Sequence, residues 1–250
     1  EAKETIYEFM DAQREDYLLE SLDYRYLSAG EGTQNNNGLK DRTTLVSYFG
    51  KLNYAYNDRY LLSATIRNDA SSRFGANNNS AFFPAVSAGW RITEENFMKE
   101  IDVISDLKLR ASWGQNGNDQ MDNEATYTKY LFNLHTAGYD LEGINQGTIY
   151  NGIVKQRSGN PDIKWEVTTQ INFGIDLAVL KNRLTLTLDY YIKETEDMLI
   201  DRPYIAVIGE GGYMSYNGAS LTNNGIEGTV TWRDIVNKDF SYELSFTGTA

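Results

Sequence analysis

Trp165-Glu166-Val167-Thr168-Thr169-Gln170-Ile171-Asn172-Phe173-Gly174-Ile175-Asp176-Leu177-Ala178-Val179 decides the fold class. Trp165, Val167, Ile171, Phe173, Ile175, Leu177 and Val179 fall on odd positions. Glu166, Thr168, Gln170, Asn172, Gly174, Asp176 and Ala178 fall on even ones. A period of two sustained over this length is a β-strand with one apolar and one polar face. After the break at Lys181-Asn182 the pattern resumes. Leu184, Leu186, Leu188, Tyr190 and Ile192 oppose Thr185, Thr187, Asp189, Tyr191 and Lys193. The two runs read as a hairpin.

Working outward, the same alternation recurs. Toward the C-terminus, Ile226, Val230 and Trp232 oppose Glu227, Thr229, Thr231 and Arg233. Beyond Val236 to Asp239, Phe240, Tyr242, Leu244 and Phe246 oppose Ser241, Glu243, Ser245 and Thr247. Toward the N-terminus, Leu107, Leu109, Ala111 and Trp113 oppose Lys108, Arg110, Ser112 and Gly114. Val86, Ala88, Trp90 and Ile92 oppose Ser87, Gly89 and Arg91. Residues 59–69 and 43–56 alternate as well, joined by Asn57-Asp58, a break of the length a tight hairpin uses. Eight strands are counted in this way. Glu94 to Ile101 reads as one or two helical turns. Ile6, Phe9 and Met10 allow a short amphipathic helix in residues 1–17, with a solvated loop as the alternative. Residues 30–41, 71–82, 117–163 and 201–223 read as loops.

Two features set this pattern apart from a soluble β-sandwich. Several runs reach 11 to 16 residues, whereas globular strands average about 5–6 and about 9–11 tilted residues cross a bilayer. Short breaks at 57–58, 181–182 and 236–239 also alternate with the long loops, and the medium break at 93–106 falls with the short ones. Short turns at one end and long loops at the other are the mark of an outer-membrane barrel with an apolar exterior and a polar lumen. The expected fold is all-β, a transmembrane antiparallel β-barrel with long extracellular loops. Residues 1–42 form an extracellular segment leading into the barrel, and residues 43–250 form its strands and loops. Ile171, Phe173 and Ile175 then face lipid, Gln170, Asn172 and Asp176 face the lumen, and the short turns are periplasmic.

Composition narrows the function. The chain has 250 residues, a net charge of −12, one His and no Cys. A polyanion is a poor partner for nucleic acid, whose affinity comes from Lys and Arg meeting phosphates. Disulfides, thiolate metal sites and Cys nucleophiles are excluded. No apolar run approaches the roughly 18 residues of a membrane helix. Glu1-Ala2-Lys3-Glu4 has neither the basic nor the apolar region of a secretory signal.

Several segments resemble the SusC/RagA-like group of TonB-dependent outer-membrane transporters. They are Ser47-Tyr48-Phe49-Gly50-Lys51-Leu52-Asn53-Tyr54, Asp69-Ala70-Ser71-Ser72-Arg73-Phe74-Gly75, Phe83 to Ile92, Leu107 to Asn118, and Asn160-Pro161-Asp162-Ile163-Lys164-Trp165-Glu166. Asp189-Tyr190-Tyr191, Asp197-Met198-Leu199 and Asn224-Gly225-Ile226-Glu227 follow in order. Asn68 and Ala70 depart from the group's pattern. The resemblance runs from about residue 43 to 235. It implies an internal portion of a 22-stranded barrel whose plug and TonB-binding segment lie outside this chain. It also implies uptake of oligosaccharides or peptides, a SusD-like surface lipoprotein as lid, TonB as energy source and outer-membrane lipid as surroundings. Two other classes compete: a soluble or secreted β-rich carbohydrate-binding module, and a small eight-stranded outer-membrane adhesin barrel.

No catalytic constellation emerges, and the chain is not read as an enzyme. Glu194, Glu196 and Asp197 suit a solvated rim better than acid–base work, which needs carboxylates in opposed environments. His135 has no ligand partner. Residues 116–124 are rich in oxygen donors but lack EF-hand spacing, so no metal or other cofactor is expected. Trp90, Trp113, Trp165 and Trp232 read as girdle residues at the lipid boundary. Tyr139, Tyr150, Tyr204, Tyr213 and Tyr216 lie in the long loops, where rings stack on sugars or peptide groups. The candidate ligand contacts are Arg73, Phe74, Asn78, Asn118, Asp119, Tyr139, Tyr213, Tyr216 and Asn217. For Arg73 a structural alternative exists, pairing with Asp69.

Overall fold

The computed structural model describes residues 1–19, 21–132, 138–140, 149–203 and 213–250. Nine long antiparallel strands form one meander: β1 (Ala2–Arg14), β2 (Gln34–Tyr56), β3 (Tyr60–Ser71), β4 (Ser80–Arg91), β5 (Ile104–Asn118), β10 (Glu166–Val179), β11 (Leu184–Pro203), β12 (Tyr213–Ile235) and β13 (Ser241–Thr249). Four short strands interrupt the connection from β5 to β10. They are β6 (Lys129–Phe132), β7 (Gly138–Asp140), β8 (Ile149–Asn151) and β9 (Ile153–Arg157). Among the described residues β7 and β8 pair with each other alone, while β9 joins β6 to the start of β12. Among the described residues the sheet is open, with no strand paired on the outer edge of β1 or β13.

Register aligns the apolar positions into one continuous face. Tyr54, Leu62 and Ala88 are successive partners across β2, β3 and β4. Ala88, Ala111, Phe173, Tyr190 and Ile226 continue the row across β4, β5, β10, β11 and β12. Phe173 is 55% exposed, Tyr48 74% and Phe246 75%. A contiguous apolar surface of this extent is untenable in water and natural in lipid. From Ile171 to Val179, paired with Ile192 to Leu184, each strand contributes nine residues to the band, the crossing length of a tilted strand, about 9–11.

The opposite face carries polar rows. Asn53, Ser63, Ser87, Ser112, Asn172 and Tyr191 follow one another across six strands. One row nearer the short turns, Arg110 donates two hydrogen bonds to Asp176 (2.8 and 3.0 Å) and one to Asp189 (3.0 Å). Gly174 leaves room for this pairing: a Cβ there would lie 2.6 Å from the guanidinium carbon and would push the Arg110 side chain aside.

At one end the turns are tight. Asn57 and Asp58 both take positive φ, which these residues tolerate in a short hairpin. Tyr56, Tyr60 and Trp90 form a row just above it. Glu95, in the 3-10 turns between β4 and β5, accepts hydrogen bonds from the Tyr60 hydroxyl (2.7 Å) and the Trp90 indole (3.2 Å), and pairs with Arg59 (3.3 Å). Trp90, Trp113 and Trp232 lie on the apolar face, as expected of boundary residues.

Four sequence expectations need correction. Residues 2–14 are strand rather than helix or loop, because pairing with Gln34 to Val46 satisfies their backbone. That partner segment makes β2 begin at Gln34, inside the expected 30–41 loop. β11 and β12 likewise extend to Pro203 and from Tyr213, so Tyr213, Tyr216 and Asn217 sit on a strand. Trp165 is no girdle residue: it is 5% exposed, with Phe74 at 5.0 Å and Phe83 at 5.5 Å. His135 and Tyr204 lie outside the described residues.

Candidate functional site

The long-connection end of the sheet is a folded platform rather than a set of separate loops. Its centre is a small apolar core of Phe74, Phe83, Ala125, Ile163 and Trp165, with Leu45, Met121, Val167 and Leu199 against it. These residues come from three connections and four strands, so burying the rings ties the connections together. Gly75 is needed for the approach: a Cβ there would lie 2.6 Å from the Pro161 carbonyl oxygen.

Polar side chains brace this core, and most of the expected ligand contacts are among them. Arg73 donates to the carbonyls of Asp119 (3.1 Å) and Met121 (3.2 Å). Asp69 pairs instead with Arg67 at 2.8 Å, so the expected alternative for Arg73 is not realised. Asp119 accepts from the Ser71 hydroxyl at 2.7 Å, and Asn78 donates to the Asp162 carbonyl at 3.0 Å. Asn118 donates to Glu166 at 3.2 Å. Phe74 is 6% exposed and gives its ring to the core.

Asn217 acts as a substitute strand. Its side chain accepts from the Lys164 amide (3.0 Å) and donates to the carbonyls of Lys164 (2.8 Å) and Asp197 (2.7 Å). Asp197, with φ of 55°, sits where the β11–β12 register slips. The irregularity bends the hairpin, and Asn217 holds the start of β10 against it. Tyr139 pairs with Tyr150 in the β7–β8 ladder. Tyr213 is 38% exposed, with the Arg157 guanidinium 4.8 Å from its ring centroid. The structure thus gathers Arg73, Phe74, Asn78, Asn118, Asp119 and Asn217 about the core, and places Tyr213 beside Arg157.

Arg157 is a residue the sequence did not single out. It is 3% exposed and meets Asp122 and the Ser215 hydroxyl, which in turn bonds Asp201. A buried cation between two carboxylates and an aromatic ring locks β9 onto β12. Its surroundings in sequence have no periodicity, so no signal pointed to it. Arg110 had a signal, because alternation put it on the polar face.

Beneath the platform, a hollow of about 460 Å³ is bounded by Asn53, Ser63, Ser87, Lys108, Arg110, Ser112 and Asn172 of the polar face together with Tyr54, Leu61, Leu62, Ala88 and Ala111. A smaller one of about 240 Å³ lies beside Thr65, Asn116 and Gln170. A larger groove of about 880 Å³ opens mainly on the apolar face, among Tyr54, Leu62, Trp90, Phe173 and Tyr190. Its walls belong to the lipid-facing band, so the polar hollows are the ones a hydrophilic solute could use. Among the described residues no group of three or more His, Asp or Glu could hold a metal ion.

Comparison with known proteins agrees with this architecture. Residues 8–250 match the family described as TonB dependent receptor-like, beta-barrel. The chain is 39% identical over 206 residues to the TonB-dependent receptor SusC of Bacteroides thetaiotaomicron, covering 82% of this chain and 20% of that protein. It is 35% identical over 230 residues to the TonB-dependent receptor P3 of Formosa agariphila, covering 92% and 22%. It superposes on the structure of the RagAB peptide transporter with a TM-score of 0.79 at 28% identity, over 99% of this chain and 27% of the matched one. The chain spans about a fifth of the length of the curated relatives it matches. A soluble module does not account for the exposed apolar band, nor a closed eight-stranded adhesin for the nine-stranded open meander. The chain belongs to the TonB-dependent receptor β-barrel family of the bacterial outer membrane, in its SusC/RagA-like group.

Proposed function

We propose that this chain is a section of the barrel wall of an outer-membrane importer for oligosaccharides or peptides, which works with a SusD-like surface lipoprotein and is driven through TonB. The observation that carries this reading is the two-faced sheet, with an apolar band one bilayer deep, a polar lumen face and a braced platform at the long-connection end. The relatives SusC and RagAB support it, the latter being a peptide transporter. In this reading the platform is extracellular and the tight turns are periplasmic. The role is passage rather than bond chemistry, so the chain is no enzyme.

Ligand contact falls to aromatic and amide groups of the long-connection end. Tyr213, which is exposed, and Tyr216, which is half-buried, are the leading contacts from β12, and Tyr139, Asn118 and Asp119 are the further candidates. Arg73, Phe74, Asn78 and Asn217 shape the platform that presents these groups. Flat rings and orienting amides together form the usual division of labour in a binding site. Calorimetry on the full-length transporter with its lid tests this: Tyr213→Ala and Tyr216→Ala should each weaken binding by about 1–2 kcal/mol. Wild-type affinity and uptake in both variants would remove this strand from the site. Single Cys probes at 182 and 78 in intact cells test sidedness, and labelling of the first but not the second would invert it.

A further inference from the structure

One row of the apolar face is interrupted by small residues. Across the strands it reads Tyr54, Leu62, Ala88, Ala111, Phe173, Tyr190, so two paired alanines lie between large side chains. Leu62 and Phe173 stand on either side, 44% and 55% exposed, with three interstrand steps or about 14 Å between their backbones. The groove of about 880 Å³ includes this gap. A second hollow of about 310 Å³ shares Ala88, Ala111 and Phe173 with it and extends to Val86 and Trp113. Leu61, Gly89, Arg110 and Gly174, from the alternate row, also border the groove, and the Arg110 guanidinium is held by Asp176 and Asp189. Along β4 the combined trough runs from Trp90 to Val86, four residue steps or roughly 13 Å. That is close to the hydrocarbon depth of one leaflet, about 15 Å.

The tight-turn end of the trough is polar. Tyr60 and Trp90 line it there, and their hydroxyl and indole N–H both donate to Glu95, which pairs with Arg59. The Arg59 side chain is 26% exposed. Among the described residues it bonds Glu95 alone, so guanidinium N–H groups remain for a further anionic acceptor. An apolar trough inside the bilayer with a cation at its water-facing end matches the two parts of a lipid, tail and phosphate. A second barrel fits less well, since its convex wall would span the trough without filling it.

We propose that this trough binds one phospholipid of the periplasmic leaflet, with an acyl chain over Ala88 and Ala111 and the phosphate at Arg59. The inference rests on the orientation given above, with the tight turns periplasmic, and not on what the importer carries. A lipid with its head group at the long-connection end would place its phosphate far from Arg59, which argues against the outer leaflet as the source.

The test uses the full-length transporter purified in detergent, with retained lipid counted by native mass spectrometry. Wild type should keep a phospholipid through washing that strips the rest. Ala88→Leu with Ala111→Leu fills the trough from the lipid side and should cut retention at least roughly tenfold. Val230→Leu adds volume on the same face outside the trough and should leave retention unchanged. Heat-modifiable migration shows that each variant is folded. Arg59→Gln should weaken rebinding of phosphatidylethanolamine to delipidated barrels several-fold. Undiminished retention in the double-leucine variant, or none in wild type, overturns the site. Retention of lipid A in place of phospholipid overturns the choice of leaflet and with it the proposal. A wild type that purifies as paired barrels, separated by the double variant, would make a second copy the occupant and also overturn it. Cys labelling reports orientation independently of the lipid count, so failure of that reading and failure of the site are told apart.

Discussion

Phe173 and Asn172 are neighbours in sequence and opposites in environment, so one substitution placed at each measures which face meets lipid. Phe173 lies in the apolar row between Ala111 and Tyr190, at the third position of the nine-residue crossing from Ile171 to Val179. An arginine there must hold its charge within the hydrocarbon between interface and midplane, which costs roughly 1–3 kcal/mol in outer-membrane barrels. That is about a 5- to 160-fold change in the folding equilibrium. Asn172 faces the hollow of about 460 Å³ shared with Ser63, Ser87 and Ser112. An arginine there stays hydrated, and its change should be within about 1 kcal/mol, as for substitutions away from buried features. The assay is denaturant unfolding of the full-length protein in vesicles, comparing Phe173→Arg and Asn172→Arg with wild type. The difference between the variants is the measured quantity, since it cancels effects common to both. Equal loss in the two, or a larger loss at Asn172, would refute the assignment of faces and with it the barrel orientation of the whole sheet.

Two further outcomes follow from the braces. Asn217→Ala removes three hydrogen bonds to the backbone of Lys164 and Asp197, a local loss of about 1–3 kcal/mol. Trypsin should then cut after Lys164 faster than in wild type, and equal cleavage rates would show that the clamp does not hold this segment. Hydrogen bonds from Tyr60 first, then Trp90, with Arg59 adding its charge, hold the Glu95 carboxyl below its ordinary pKa, against the opposing effect of desolvation. A depressed folded-state pKa contributes stability that is complete above the unfolded-state pKa and fades as pH falls through the folded one. Glu95→Gln should therefore flatten the acid side of the stability profile in that window, and an unchanged acid side would refute the role.

Alternation made the membrane strands legible because each residue there answers to only two environments. Ile171 and Asn172 could be assigned to faces with no knowledge of their partners, and the same rule placed Arg110 on the lumen face. The rule fails where a strand leaves the bilayer, as between Gln34 and Asp41, since water on both faces removes the alternation while backbone pairing keeps the strand. The 2–14 strand was missed for the same reason.

The sequence by itself determined the strand crossings, their faces, the alternation of tight and long connections, and the family. Only the tertiary structure decided what the outer residues do. Trp165 has the parity of a lipid-facing residue, yet it is buried because the 72–79 connection brings Phe74 over it. Asn217 reads as a loop amide, and becomes a clamp because the β11–β12 bulge brings Asp197 within its reach. Arg157 is an unremarkable cation in sequence, and is buried because Asp122 and Ser215 arrive from positions 35 and 58 residues away. The physical reason is one of range: the bilayer imposes its pattern residue by residue, whereas the platform is held by contacts between segments far apart in the chain, which carry no local period.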